Sequence, residues 1–254
     1  MAALSLAGVS RRFGGVQAVR DLSMTVEPGR ITGLIGPNGA GKTTVVNLIT
    51  GLLKLTAGSI SLDGRDIHEL PPHQVARLGI ARTFQNIRLL KEASVLDNIV
   101  AGCRQEETVP LYAQVLGLPA MRRARAASIA RARVLMTELG MNEYADHLAG
   151  ELSYGHQRRV EIMRALALDP TVLLLDEPVA GMNDTEAEEL GRIFRKLATR
   201  GIAILLIEHN MRFVMALCDE IYVVATGELI DHGAPESVRA NPRVIEAYLG
   251  GEAC

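Results

Sequence analysis

The eight residues Gly36-Pro37-Asn38-Gly39-Ala40-Gly41-Lys42-Thr43 spell G-x-x-x-x-G-K-[ST], and that pattern restricts the fold more than any other part of the chain. A short apolar strand, Ile31 to Ile35, precedes it, and a helix predicted over residues 43–50 follows. Glycines at Gly36, Gly39 and Gly41 let the backbone curl until several N–H groups face one anion, and the helix N-terminus adds partial positive charge. Lys42 contributes a full charge for the β- and γ-phosphates, and the Thr43 hydroxyl is a ligand for Mg²⁺. Such a loop works only where a strand ends beside the start of a helix, so it demands an α/β fold.

The second half of the chain repeats that grammar. Residues 172–175 read as a buried strand, 185–199 as a helix and 202–207 as another strand, with Asn183 and Glu186 spaced as a capping box. Strands alternating with helices imply a parallel sheet that holds nucleotide at its carboxyl ends. The strand Val172-Leu173-Leu174-Leu175 runs into Asp176-Glu177-Pro178. Asp176 is placed to hold Mg²⁺, and Glu177, one residue on, to polarise a water for attack on the γ-phosphate.

Elsewhere the patterning changes. Before about residue 66, Leu22, Met24 and Val26 alternate, as do Ile60 and Leu62, and Asp63-Gly64 is a hairpin turn, so this stretch is β-rich. From Ser94, a plausible cap for a helix over 95–103, to Leu168 the chain reads as helical. The arginines of 121–140 (Arg122, Arg123, Arg125, Arg131, Arg133) read as a solvated face. Two short helices, split at Asn241-Pro242, close the chain over 235–249.

Composition removes several function classes. A net charge of −2 argues against nucleic acid as a partner. Cys103, Cys218 and Cys254 are too far apart for a metal-ligand motif and read as reduced and structural. No apolar run approaches the roughly 18–20 residues of a membrane span. The start, Met1 to Leu6, reads as a strand rather than a signal peptide.

One further motif points to a family. Leu152-Ser153-Tyr154-Gly155-His156-Gln157 precedes a helix roughly 20 residues before Asp176, and it resembles the LSGGQ signature of ATP-binding cassette (ABC) ATPases. The resemblance runs from Phe13 to Leu249. It implies a single ABC ATPase domain over 1–254, with a mostly parallel P-loop core sheet, an antiparallel β subdomain and a helical subdomain. Residues 1–85 and 166–254 would form the core and β subdomain, and 86–165 the helical subdomain carrying the signature.

It also implies site roles. Phe13 would stack on adenine with Ala18 nearby; Gly36, Pro37, Asn38, Gly39, Ala40, Gly41, Lys42, Thr43 and Thr44 would hold the phosphates; Ser153 and Gly155 would close on ATP bound by the other subunit. Thr43, Gln85 and Asp176 would hold Mg²⁺, and Glu177, His209 and Gln85 would serve catalysis.

Finer details resemble the ATPase subunits of branched-chain amino-acid importers: Tyr154 in the signature, Gly79 to Gln85, Ile207-Glu208-His209-Asn210-Met211, and Ala247-Tyr248-Leu249-Gly250. The segment 104–126 resembles an insertion carried by one of the two paralogous ATPases in such importers. That implies an ATPase on the cytoplasmic face of the inner membrane. Its partners would be two transmembrane permease subunits, a paralogous ATPase (or a second copy of this chain) and, indirectly, an extracytoplasmic binding protein. Importers of urea, amides or aromatic acids and the lipopolysaccharide exporter are the alternatives, though Tyr154 stands where the exporter signature keeps glycine. A soluble ABC ATPase of DNA repair or translation would carry a second cassette or a long heptad insertion, and neither is present. His156, in place of Gln, and Asn183, in place of the usual D-loop Asp, depart from the general pattern.

Overall fold

A computed structural model describes residues 4–83, 87–103 and 119–249. The chain forms two compact units, one of Met1–Gln85 with Thr171–Cys254 and one of Asn86–Pro170.

The first unit contains two sheets. Strands β1 (Leu4–Phe13), β2 (Val16–Val26), β4 (Ala57–Leu62) and β5 (Arg65–Asp66) form an antiparallel sheet in the order β2-β1-β4-β5. The six-stranded sheet runs β10-β9-β3-β8-β7-β6, from β3 (Ile31–Ile35), β6 (Ile80–Arg82), β7 (Val172–Asp176), β8 (Ala203–Ile207), β9 (Glu220–Ala225) and β10 (Glu228–Gly233). All its pairs are parallel except β9 with β10. β3, β7 and β8 are buried at every position, as continuous apolar runs in a covered parallel sheet must be.

Helix α1 (Lys42–Ile49) contributes Val45, Val46, Leu48 and Ile49 to one buried apolar cluster that also takes Leu6, Leu22 and Ile60 from the antiparallel sheet and Leu34, Leu174 and Leu205 from the six-stranded sheet. The remaining helices of this unit are α2 (Pro72–Arg77), α6 (Asp184–Thr199), α7 (Met211–Leu217), α8 (Pro235–Ala240) and α9 (Pro242–Leu249). Asp63 and Gly64 both take positive φ, 52° and 77°, the twist a two-residue hairpin turn needs.

The expected capping box is complete. Asn183 Oδ1 accepts from the Glu186 N–H at 2.9 Å, and Glu186 Oε2 accepts from the Asn183 N–H at 3.1 Å. An aspartate would cap this helix as well, which is why asparagine is structurally tolerated in its place. Asn183→Ala is expected to cost about 1 kcal/mol, and Asn183→Asp close to nothing, read from urea unfolding midpoints.

In the second unit, α3 (Val95–Gly102), α4 (Pro119–Glu138) and α5 (Tyr154–Leu166) share a core that includes Val95, Ile99, Leu135, Met136, Val160 and Met163. Ser94 caps α3 by accepting from the Asp97 N–H at 3.0 Å. One arginine departs from the solvated-face reading. Arg131 donates to Leu166 O at 3.0 Å and Ala167 O at 3.3 Å and pairs with Asp169 at 2.9 Å, so it caps the C-terminal end of α5. Arg122, Arg123, Arg125 and Arg133 are exposed. Cys103 and Cys218 are buried free thiols, whereas Cys254 lies outside the described residues.

Candidate functional site

The loop from Gly36 to Gly41 joins β3 to α1 at the carboxyl end of the parallel sheet. Two of its glycines are sterically required. At Gly36, φ is 152° and a Cβ would stand 1.9 Å from Val224 O; at Gly41, φ is 98° and a Cβ would stand 2.3 Å from Ala18 O. Ala18 therefore sets how closely the β1–β2 hairpin approaches the loop. The Arg20 N–H donates to Gly227 O at 2.7 Å and the Gly227 N–H to Ala40 O at 3.2 Å, tying hairpin, loop and the β9–β10 turn together.

Lys42 turns its amino group back onto that loop, donating to Gly36 O at 2.7 Å and Pro37 O at 2.9 Å. Burial holds its pKa below the ordinary lysine value, while Glu177 first and Asp176 second pull it upward. A lysine that is half-dehydrated and faces two carboxylates is poised for an anion that would supply more negative charge. Thr43 is exposed and Thr44 half-buried on the first turn of the helix.

Asp176 is the last residue of β7 and is 3% exposed. Its Oδ2 accepts from Arg82 Nη2 at 3.1 Å, and Arg82 Nη1 donates to Asn47 Oδ1 at 2.6 Å, so the carboxylate is anchored to β6 and α1. Glu177 takes a positive φ of 48°, and its N–H donates to Ile207 O at 2.9 Å. That turn leaves its side chain 24% exposed, with Oε1 3.8 Å from His209 Nδ1. His209 itself is 62% exposed just after β8. The chain thus gathers the phosphate loop, Asp176, Glu177 and His209 at the ends of three neighbouring parallel strands.

Phe13, at the end of β1, is 42% exposed, and the Arg11 guanidinium lies 4.5 Å over its ring. Arg11 Nη1 is fixed by Lys54 O at 2.9 Å, so the cation that covers one face of the exposed Phe13 ring is itself held in place. Gln85 lies outside the described residues. In the second unit, Ser153 is the N-cap of α5 and accepts from the His156 N–H at 3.4 Å. His156 packs its ring 4.5 Å from that of Tyr144. Behind the signature, Arg158 and Glu161 form a fully buried ion pair at 2.6 Å.

Four features of the site were not singled out from the sequence: Arg82 on Asp176, Arg11 behind Phe13, the buried Glu208, and Tyr248. The Tyr248 hydroxyl is buried against the backbone of Gly36 without a partner in hydrogen-bond geometry among the described residues, and burial pushes its pKa to about 12. Glu208 had the same signal as Glu177, an acidic residue directly after a buried strand.

A parallel sheet with a phosphate loop at its carboxyl end, facing an Asp-Glu pair and a histidine, defines a nucleotide-hydrolysing ATPase. The ABC transporter family model matches residues 19–180, and the chain belongs to that family. A second model, described as branched-chain amino acid ATP-binding cassette transporter, matches residues 232–254. The high-affinity branched-chain amino acid transport ATP-binding protein LivG of Escherichia coli (strain K12) is 44% identical, covering 97% of both chains. The lipopolysaccharide export system ATP-binding protein LptB of the same organism is 37% identical over 98% of both. Among solved structures, the ADP conformation of an ABC transporter's ATP-binding cassette superposes with a TM-score of 0.85 at 32% identity, covering 98% of this chain and 99% of that one. The chain is thus an ATP-binding, ATP-hydrolysing cassette of a transporter.

Proposed function

We propose that this chain powers an importer of branched-chain amino acids. The observation that carries this reading is the 44% identity with LivG over 97% of both chains. The match of residues 232–254 to the branched-chain cassette model supports it independently of the catalytic motifs. No described helix is long and apolar enough to cross a membrane, so two permease subunits would provide the path. A second ATPase would complete the pair of sites, and an extracytoplasmic binding protein would deliver the amino acid. The chain would sit on the inner face of the membrane.

The residues divide the work. The loop Gly36 to Thr44 receives the phosphates, with Lys42 leaving its loop carbonyls for the β- and γ-phosphate oxygens. Phe13, backed by Arg11, stacks on adenine. The donor set suits a hard cation: Thr43 offers a hydroxyl and Asp176 a fixed carboxylate, with Gln85 as a third oxygen, and Mg²⁺ held there would offset phosphate charge. Glu177 takes the proton of the attacking water, and His209 contacts the γ-phosphate. Ser153 and Gly155 at the start of α5 would engage ATP held by the partner ATPase, so that binding closes the pair and hydrolysis reopens it.

The experiment is co-purification. A tagged chain is extracted from its own membranes in mild detergent and its companions are identified by mass spectrometry. Two small permeases and a second ATPase are expected, together with a binding protein whose ligand, tested by calorimetry, is leucine, isoleucine or valine. A binding protein selective for urea, amides or aromatic acids, or lipid-export components instead of it, would overturn the amino-acid assignment.

A further inference from the structure

Glu208 follows β8 as Glu177 follows β7, yet its surroundings are opposite. It is 1% exposed, and both of its oxygens are occupied. Oε1 accepts from the Val179 N–H at 3.1 Å; Oε2 accepts from the His209 N–H at 3.2 Å and the Asn210 N–H at 3.4 Å. Every partner is a donor, so the carboxylate serves as a double acceptor; burial pushes its pKa above the ordinary glutamate value, and the donors from Val179, Asn210 and His209 pull it back. So enclosed a group cannot receive a proton from substrate water. The two segments it holds are the ones assigned chemistry: Val179 lies in the turn that follows Glu177, and His209-Asn210 links β8 to α7.

We infer that Glu208 is a positioning residue that couples the Glu177 turn to the His209 turn, so that the water-activating carboxylate and the γ-phosphate-facing histidine keep one mutual geometry. This rests on the assignment of Glu177 and His209 in the proposed function. The Glu177 N–H to Ile207 O bond, 2.9 Å, joins the same two strand ends from the backbone side. His209 Nδ1 lies 3.8 Å from Glu177 Oε1 and 3.9 Å from Glu208 Oε2, beyond hydrogen-bond length, so the side chains do not fix one another directly. The backbone ties through Glu208 do. A displacement of either turn is felt by the other, and misplacement on the order of 1 Å at a reacting centre is enough to lower a rate up to about 10²-fold. Lys42 is held by Gly36 O and Pro37 O, and Asp176 by Arg82, so the groups that would bind nucleotide have supports of their own and nucleotide binding is separable from Glu208.

The test compares Glu208→Gln with wild type in the full chain, measuring kcat, the KM for ATP, ATP affinity by calorimetry and the thermal midpoint. A glutamine fills the same volume but has one acceptor oxygen, and its NH₂ faces backbone donors on the other side, so one of the two turns is released. A fall in kcat of about tenfold or more is expected, with KM and ATP affinity within about twofold of wild type. Glu208→Asp keeps the charge but is one methylene shorter, and it is expected to recover part of kcat. It also decides the matter should the glutamine variant fail to fold. Wild-type kcat in Glu208→Gln overturns the inference, as does a parallel loss of kcat and ATP affinity, which marks a residue that merely supports folding. Glu177→Gln is run beside it. If that variant hydrolyses ATP normally, the underlying assignment of the base has failed instead.

Discussion

Glu177→Gln is expected to lower ATP turnover by about 10²- to 10⁴-fold while the variant still binds ATP, the range by which a positioned general base accelerates a reaction. Two carboxylates end adjacent strands, and their environments assign their roles. Glu208 is 1% exposed and saturated by backbone donors, whereas the Glu177 side chain is 24% exposed and turned out of its strand by a φ of 48°. Only Glu177 can meet a water. Asp176, one residue earlier, is 3% exposed and held by Arg82, which fixes it as a charge rather than a base. Affinity should be unchanged or higher, because removing Glu177 takes away a negative charge that would face the polyphosphate. Phosphate release and nucleotide calorimetry on the same preparation read both quantities. Undiminished turnover would remove Glu177 as the base.

Much of this arrangement was legible in the sequence because its causes are local. The strand Ile31–Ile35, the capping box at Asn183 and the break at Asn241-Pro242 follow from apolar runs, side-chain caps and proline chemistry, all of which act within a few residues. The strand–turn segments ending in Asp176-Glu177 and Glu208-His209 were legible as strand ends for the same reason: a buried apolar run that stops at acid or histidine has little freedom. What stayed hidden depends on pairing across the fold. Arg82 and Asp176 are 94 residues apart, and nothing local says that one will neutralise the other. Val179 and Glu208 are separated by 29 positions, so the buried acceptor was indistinguishable from a second solvated acid. Arg131 looked like one more exposed cation because its partners lie on the next helix of its unit. Element ends shifted by a residue or two, as where α1 begins at Lys42 because Gly41 in the left-handed region serves as its cap.

Lys42→Ala should weaken ATP binding by at least about 30-fold, since truncating one member of a buried charged contact typically costs 2–5 kcal/mol. The amino group already sits in the loop on Gly36 O and Pro37 O, so ATP binding exchanges two carbonyl partners for anionic oxygens without first ordering a distant side chain. The pH dependence has a definite sign. Burial lowers the folded pKa of Lys42 below 10.5, so the free protein carries a penalty for the charged form that is relieved as pH rises through the lowered value toward the unfolded one. Phosphate favours the charged form and opposes that loss. In the window between the lowered pKa and 10.5, wild-type ATP binding is therefore expected to take up a proton and to weaken with rising pH. Calorimetry in buffers of different ionisation enthalpy reads the proton directly. In Lys42→Ala that proton uptake should vanish along with the affinity, and an alanine variant that binds ATP as wild type does would contradict the assignment of this loop.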